Sequence, residues 1–334
     1  MLSIVVPTHN RRTRLSRLLQ RLSEEYARPH SFEVVVVIDG SDDDTLAFIN
    51  TFHPPYPLIA AVQANRGPAS ARNHAITLAH GEIVLFLDDD VVPERGTIAH
   101  HVAIHQNSDD AVVMGPMLPP SGRRMPPWLE WEALMLQKQY RAMAAGQFTP
   151  TPRQFYTANA SVRRRHVIRA GGFDERYRRA EDVDLAYRLA ALGLCFHFEP
   201  RAVVTHEPDR TLAGWLRVAR EYGRFDVLAG MERPAVLRYS YDEWHRRHLL
   251  NRALPRLCVG HARRERLIIL AARPLLALRL PERMAPLQRL ACSALFNVQY
   301  WQGVADASGQ GERIWSGAAA ALAGARARRG REAS

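Results

Sequence analysis

The segment GEIVLFLDDDVVP (residues 81–93) drives an apolar run into three adjacent carboxylates, Asp88, Asp89 and Asp90. Ile83–Leu87 reads as a strand buried on both faces, as in a parallel sheet. The C-terminal end of such a strand opens into the crevice where α/β sheets bind ligands. Three like charges there repel one another unless a cation joins them, and a hard divalent ion with oxygen ligands suits the arrangement. The plainer alternative is a solvated acidic turn before a helix that begins near Pro93.

The elements around it alternate. Leu2–Val6, Phe32–Ile38, Leu58–Val62, Ile83–Leu87 and Ala111–Met114 carry strand signals. Helical spacing lies between them, beginning with Leu15, Leu18, Leu19 and Leu22 behind the N-caps Thr8 and Asn10. Such alternation implies an α/β, doubly wound, mostly parallel sheet with right-handed crossovers. Further helices are expected over 94–105, 128–146, 166–170 and 182–192, and strands over 155–162, 194–198 and 202–205. Beyond Leu212 only helical patterns remain, spaced by prolines, and the tail GARARRGREAS is expected to fray.

In a parallel sheet the loops that follow the strands gather at one edge. Here they carry Pro7-Thr8-His9-Asn10-Arg11, Asp39-Gly40-Ser41, Asn65-Arg66-Gly67 with Ala71-Arg72-Asn73, and the three aspartates. Backbone N–H groups and helix N-termini for anions, with carboxylates for a ribose, base or metal, make a nucleotide pocket. Neither GxGxxG after the first strand nor GxxxxGK[ST] occurs, which excludes the dinucleotide and P-loop patterns.

Five ordered segments, SIVVPTHNR (3–11), VVVVIDGSDDDT (34–45), NRGPASARN (65–73), FLDDDVVP (86–93) and GGFDERYRRAEDVDLAYRL (171–189), resemble a family-2 glycosyltransferase of the GT-A fold over roughly residues 2–210. The resemblance implies an inverting, metal-dependent transfer of a sugar from a nucleotide donor to a hydroxyl acceptor. It implies that Pro7, Thr8 and Asn10 line the nucleotide pocket, that Asp39 accepts a hydrogen bond from the base, and that Arg72 approaches the base or the diphosphate. Asp88 and Asp90 match the ends of the DxD motif: Asp88 holds the ribose or the metal's water, and Asp90 ligates Mg²⁺ or Mn²⁺. His206 stands where relatives place a third metal ligand; the alternative for a lone histidine is a structural role. Glu181-Asp182 match the ED motif, with Asp182 as base toward the acceptor and Glu181 orienting it; the alternative is that these acids only favour a helix N-terminus. Gly171-Gly172-Phe173 form the loop against which the acceptor lies. The chain departs from the family at Ile38, where a first acid is usual, and at Ala180, where glycine is common.

The resemblance also implies a UDP-sugar donor, with GDP or dTDP as alternatives, and a glycan or lipid-linked acceptor in cell-surface polysaccharide synthesis. Trp128, Trp131 and Tyr140 offer faces for sugars to stack on, or else belong to the core. The expected organisation is a nucleotide-sugar half (1–115), an acceptor-binding half (116–210) and a basic helical region (211–334).

Composition bounds the rest. The 334 residues carry a net charge of +11, and all of it resides in residues 201–334, with 23 basic against 12 acidic side chains. That points to a basic C-terminal surface. Arg273–Leu280 and Arg289–Trp301 mix apolar residues with Arg, Tyr and Trp as interfacial helices do, which leaves two readings open: a membrane surface as partner, or helices packed against the catalytic domain with a solvated arginine face. Nucleic acid is not, because no DNA or RNA module accompanies the charge. The three cysteines are odd in number and widely spaced, giving no disulfide or zinc pattern. With no signal peptide and no spanning run, the expected location is cytoplasmic, either free or peripheral on the inner face of the membrane. Rival readings are a nucleotide-sugar pyrophosphorylase, which the PTHNRR loop does not suit, and a catalytically degenerate carbohydrate- or nucleotide-binding homologue.

Overall fold

The computed structural model describes residues 1–26, 31–177, 179–278 and 280–316. The expected fraying at 324–334 lies outside them, as does Arg279. The chain forms two compact units, residues 1–123 with 133–208 and residues 124–132 with 209–334.

The first unit runs β1 (Leu2–Thr8), α1 (Arg12–Tyr26), β2 (Phe32–Asp39), α2 (Thr45–Thr51), β3 (Leu58–Gln63), α3 (Pro68–Leu78), β4 (Ile83–Leu87), β5 (Val91–Pro93), α4 (Thr97–Asn107), β6 (Ala111–Met114) and β7 (Met117–Leu118). After α5 (Pro127–Ala144), whose first turns cluster with the second unit, come β8 (Asn159–Arg163), α6 (Arg164–Arg169), α7 (Glu181–Ala191), β9 (Cys195–Phe198) and β10 (Val204–His206). Seven strands make a sheet in the order β3-β2-β1-β4-β8-β6-β9. All neighbours are parallel except β8, which is antiparallel to both β4 and β6.

The sequence explains the order. Every residue of β2 and β4 is buried, as strands covered by helices on both faces require. The side chains alternate: Ile4, Val34, Val36 and Leu85 pack with Leu15, Leu18, Leu19 and Leu22 of α1, whereas Val5, Val35, Val84 and Phe86 pack with Ala71 and Ala75 of α3 and Leu185 and Leu189 of α7. Truncating one fully buried side chain, such as Leu18→Ala, costs about 2–5 kcal/mol. β3, with partly exposed Leu58–Gln63, forms the edge.

A second sheet of three short strands, β5-β10-β7, was not expected. The helix foreseen from residue 94 begins only at Thr97: Val91-Val92-Pro93 pairs with β10, the Glu94 N–H donates to the Val203 carbonyl, and Gly96 takes φ 85°. The strand foreseen at 155–162 starts later, at Asn159, because Pro152–Gln154 form a 3₁₀ turn capped reciprocally by Thr151 and Gln154.

The second unit is helical: α8 (Leu212–Glu232), α9 (Pro234–His245), α10 (Leu249–Cys258), α11 (Ala262–Ala277) and α12 (Ala285–Ser308). Among the described residues no helix is long and apolar enough to cross a membrane. One expectation about aromatics changes, and one open alternative closes. Trp301 is 1% exposed and packs edge-on to Tyr241 and Trp244, so most of Arg289–Trp301 is core; only its first turn stays at the surface. Trp131 is buried edge-on against Trp215, and Tyr140 stacks on Phe198, which leaves neither ring free for a sugar. Half-buried Trp128 donates its indole N–H to the Arg210 carbonyl.

Candidate active site

The C-terminal ends of β1, β2, β3 and β4 bring their loops to one edge of the first unit's sheet. Asn10, at φ 53° in the left-handed region that asparagine tolerates, donates its N–H to Ser41 Oγ and accepts the Asp42 N–H at 2.9 Å. It thereby joins the β1 and β2 loops. Pro7 sits in register beside Val37 at the end of β1. The neighbouring Thr8 donates its hydroxyl to Asp89 at 2.8 Å.

Asp39 is 5% exposed, and the chain already uses its oxygens: Oδ1 accepts from Gln63 Nε2 and the Arg66 N–H, and Oδ2 from the Gly67 N–H at 2.8 Å. Three of about four acceptor positions on the carboxylate are thus filled. Its visible work is to shape the turn entering α3, with one position left for a ligand. Ile38, in place of an acid, lies in the core at 1% exposure.

The three aspartates diverge. Asp88, one-third exposed, accepts from Arg72 Nη2 at 2.6 Å. Asp89 turns inward to Thr8 and Arg11; burial, reinforced by Asp90, pushes its carboxyl up to about 6 against the pull of Arg11. Asp90 lies 2.9 Å from Arg11 Nη1 and 3.6 Å from Arg14 Nη1 through one oxygen, and 3.5 Å from His206 Nε2 through the other. Burial favours its neutral form, but His206, Arg11 and Arg14 outweigh burial and hold it well below the usual carboxylate range.

β10 is what delivers His206. It pairs antiparallel with β5 so that His206 faces Val91, and the Glu207 N–H closes the pairing on the Asp90 carbonyl at 2.9 Å. Among the described residues no group of three or more His, Cys, Asp or Glu converges on one point. The Asp90–His206 pair nonetheless fits a divalent ion, since adjacent ligands of an octahedral Mg²⁺ stand about 3 Å apart and such ions keep phosphate and water in their other positions. Asp88 turns to Arg72 instead of this pair.

On the far side of Asp88, Arg72 Nη1 reaches Glu181 at 2.8 Å, and its side chain is 5% exposed. Burial opposes its charge, yet Asp88, Glu181 and Asp182 together hold the guanidinium above its ordinary value. Its Nε–H is buried without a partner. Asp182 stands in the first turn of α7, where the Val183 N–H bonds Oδ1 at 2.8 Å. Burial, then the charge of Glu181, pushes its carboxyl up to about 7, while Arg72 pulls it down. Asp184 is paired with Arg188 within the helix.

Gly171 and Gly172 take φ 83° and 69°. Asn73 fixes the loop: its Oδ1 accepts the Phe173 N–H at 2.7 Å and its Nδ2 donates to the Phe173 carbonyl at 2.9 Å. The Phe173 ring, 2% exposed, lies edge-on to Phe86 and under Arg72, so what the loop offers an acceptor is glycine backbone. Sequence reasoning overlooked Arg14 and the Thr8–Asp89 bond; Arg11 and Asn73 were visible only as ends of the PTHNR and NRGPASARN segments.

Residues 3–172 match the sequence profile of glycosyl transferase family 2. An uncharacterised glycosyltransferase, YfnE, of Bacillus subtilis is 29% identical over 61% of this chain, which spans 64% of that relative. The chain thus covers less than two thirds of such a relative's length. Among solved structures, Staphylococcus aureus TarS 1–349 in complex with UDP superposes with a TM-score of 0.55 and 19% identity, covering 92% of both chains. A mannosyltransferase from Pyrobaculum calidifontis, in complex with GDP-Man and Mn²⁺, does so at 0.52 and 22% identity, covering 98% of this chain and 79% of its own. These two likenesses show the fold. With half of its length matching the family profile, on a sheet edge that carries the five motif segments, the chain belongs to glycosyl transferase family 2.

Proposed function

We propose that this chain is an inverting glycosyltransferase that moves a sugar from a nucleotide-sugar donor to a hydroxyl of a glycan or lipid-linked acceptor in cell-surface polysaccharide synthesis. A UDP-sugar is the foremost donor, as the TarS complex with UDP suggests; GDP- and dTDP-sugars are the alternatives, GDP being the nucleotide in the mannosyltransferase complex.

The observation that carries the reading is Asp182, a carboxylate raised to about 7 beside Glu181 and Arg72, with Arg72 joining Glu181 to Asp88 of the aspartate loop. A base works best when its pKa lies near the working pH. Asp182 takes the proton of the acceptor hydroxyl as that oxygen forms a bond to the anomeric carbon. The bond from that carbon to the diphosphate oxygen breaks on the opposite face, and the diphosphate leaves with the electron pair. Arg72 positions Asp88 and Glu181 by bridging them. Gly171 and Gly172 lie along the acceptor, and Pro7, Thr8, Asn10 and Asp39 frame the nucleotide. Asp90 and His206 would hold Mg²⁺ or Mn²⁺, which when bound neutralises charge on the departing diphosphate, while Asp88 stays with Arg72.

The test is release of nucleoside diphosphate from a panel of UDP-, GDP- and dTDP-sugars, with Asp182→Asn alongside. One nucleotide should be released by the native chain, and the variant should lose release while keeping the thermal shift that the nucleotide produces. Nucleotide binding without release from any sugar would return the degenerate binding homologue in its place.

A further inference from the structure

The second unit gathers charge and exposed apolar surface in the same helices. Residues 246–290 hold eleven arginines against two acids, Glu265 and Glu282. In that stretch Leu249 is 74% exposed and Leu267 65%, and Leu257, Leu270, Leu278 and Leu287 are each about half exposed. The helices that carry them, α10, α11 and the start of α12, pack on one another.

The pattern is clearest on α11. Leu267 and Leu270 share its outer face with Arg263, Arg266 and Arg273, all exposed and spaced three or four residues apart. None of these arginines forms an ion pair among the described residues. The opposite face is ordinary core: Leu276 is 2% exposed, and Ile268, Ile269 and Ala272 pack around it. On α10 the exposed positions are Leu249, Leu250, Ala253, Arg256 and Leu257, again leucine beside arginine.

Three occupants can be weighed by chemistry. A second copy of this chain, using the same face in a symmetric pair, would set arginines against arginines. A nucleic acid would answer the charge and leave the leucines in water. An anionic lipid surface answers both, with guanidinium groups at the headgroups and leucines in the acyl boundary. No described helix can cross a bilayer, so the contact lies in the plane of the surface. We infer that α10, α11 and the start of α12 dock this chain peripherally on an anionic membrane. The inference stands independently of the reaction proposed above.

The test is flotation of the full chain with phosphatidylcholine vesicles, with and without phosphatidylglycerol. Two variants accompany it, Arg263→Gln/Arg266→Gln/Arg273→Gln and Leu267→Gln/Leu270→Gln. All five side chains are exposed, so melting temperatures should match the native chain and binding alone should change. The native chain should float only with the anionic vesicles. Each arginine near an anionic surface contributes roughly fivefold to partitioning, so the triple variant should bind on the order of a hundredfold more weakly. The leucine variant should detach more readily in high salt, where only the apolar contact resists screening. Equal flotation with both vesicle types would overturn the inference. So would a native dimer in light scattering that the leucine variant converts to monomer without any vesicle binding, which would give the face to a second copy.

Discussion

Arg72 Nη1 lies 2.8 Å from Glu181, 109 residues further along the chain, and the same guanidinium holds Asp88. One buried cation thereby ties the aspartate loop after β4 to the first turn of α7. Removing it should leave Glu181 buried without compensation and destabilise the first unit by about 3–5 kcal/mol. Arg72→Gln should therefore lower the denaturation midpoint measurably. A loss no larger than that of a surface arginine would refute the bridge.

Arg72 also pulls the Asp182 carboxyl down toward its raised value of about 7. A base must be ionised to act, so kcat/KM should rise with pH through about 7 and level off above it. In Arg72→Gln the midpoint of that limb should move to higher pH. Asp182→Asn should lose about 10²–10⁴-fold in kcat and show no such limb. The comparison requires only pH–rate profiles of the three proteins.

Chelation should uncouple nucleotide from fold stability. With Asp90 and His206 as the ion's holders, EDTA should abolish the nucleotide-induced rise in Tm, and Mn²⁺ should restore it. His206→Ala should need roughly tenfold or more Mn²⁺ for the same restoration, in line with losses seen when a metal site is weakened. Full restoration at native Mn²⁺ levels would remove His206 from the site.

Ala180, the cap of α7, has φ 60° and ψ 21°. A residue with a Cβ pays roughly 1–2 kcal/mol to adopt that conformation, and glycine does not. Ala180→Gly should stabilise the protein by about 1 kcal/mol in urea titration and leave Glu181 and Asp182 in place. A destabilised variant would show that the cap is not strained.

His101 and His105 of α4 are buried around Ser161, with His101 also bonded to Asn159. Burial lowers their imidazoles to about 4 and about 3 from an ordinary 6.5. The unfolded chain takes up these protons near pH 6.5 and the folded one does not. Stability is therefore complete above that pH and falls as pH drops from 6.5 toward 4, by about 1.4 kcal/mol per unit for each histidine. Urea midpoints against pH should show this, and His101→Gln should flatten the slope.

The sheet and its motif loops were legible because the central strands are unbroken apolar runs and the polar residues follow them directly. What escaped had little local signature. Val91-Val92-Pro93 is too short to show a period, and it becomes a strand only because β10 arrives beside it. Asp39 reads as a free acceptor until Gln63, Arg66 and Gly67 are seen on it. Trp301 was mistaken for a surface residue because a helix buried within a bundle has the same mixture of apolar, aromatic and basic side chains as one lying in an interface. Arg11 and Arg14 needed the fold to bring them to Asp90.

The β5–β10 pairing has a consequence in time. Asp90 and His206 meet only when strands more than a hundred residues apart in the chain have closed on each other, and closing a long loop is slow because its entropy must be lost before any contact repays it. During synthesis the aspartate loop is complete well before Val204–His206 exists. The seven-stranded sheet can thus nucleate early around β1, β2 and β4, whereas the pair that would receive the ion is assembled at the end. Competence for chemistry should lag behind the appearance of secondary structure during refolding, and the lag measures how late β10 docks.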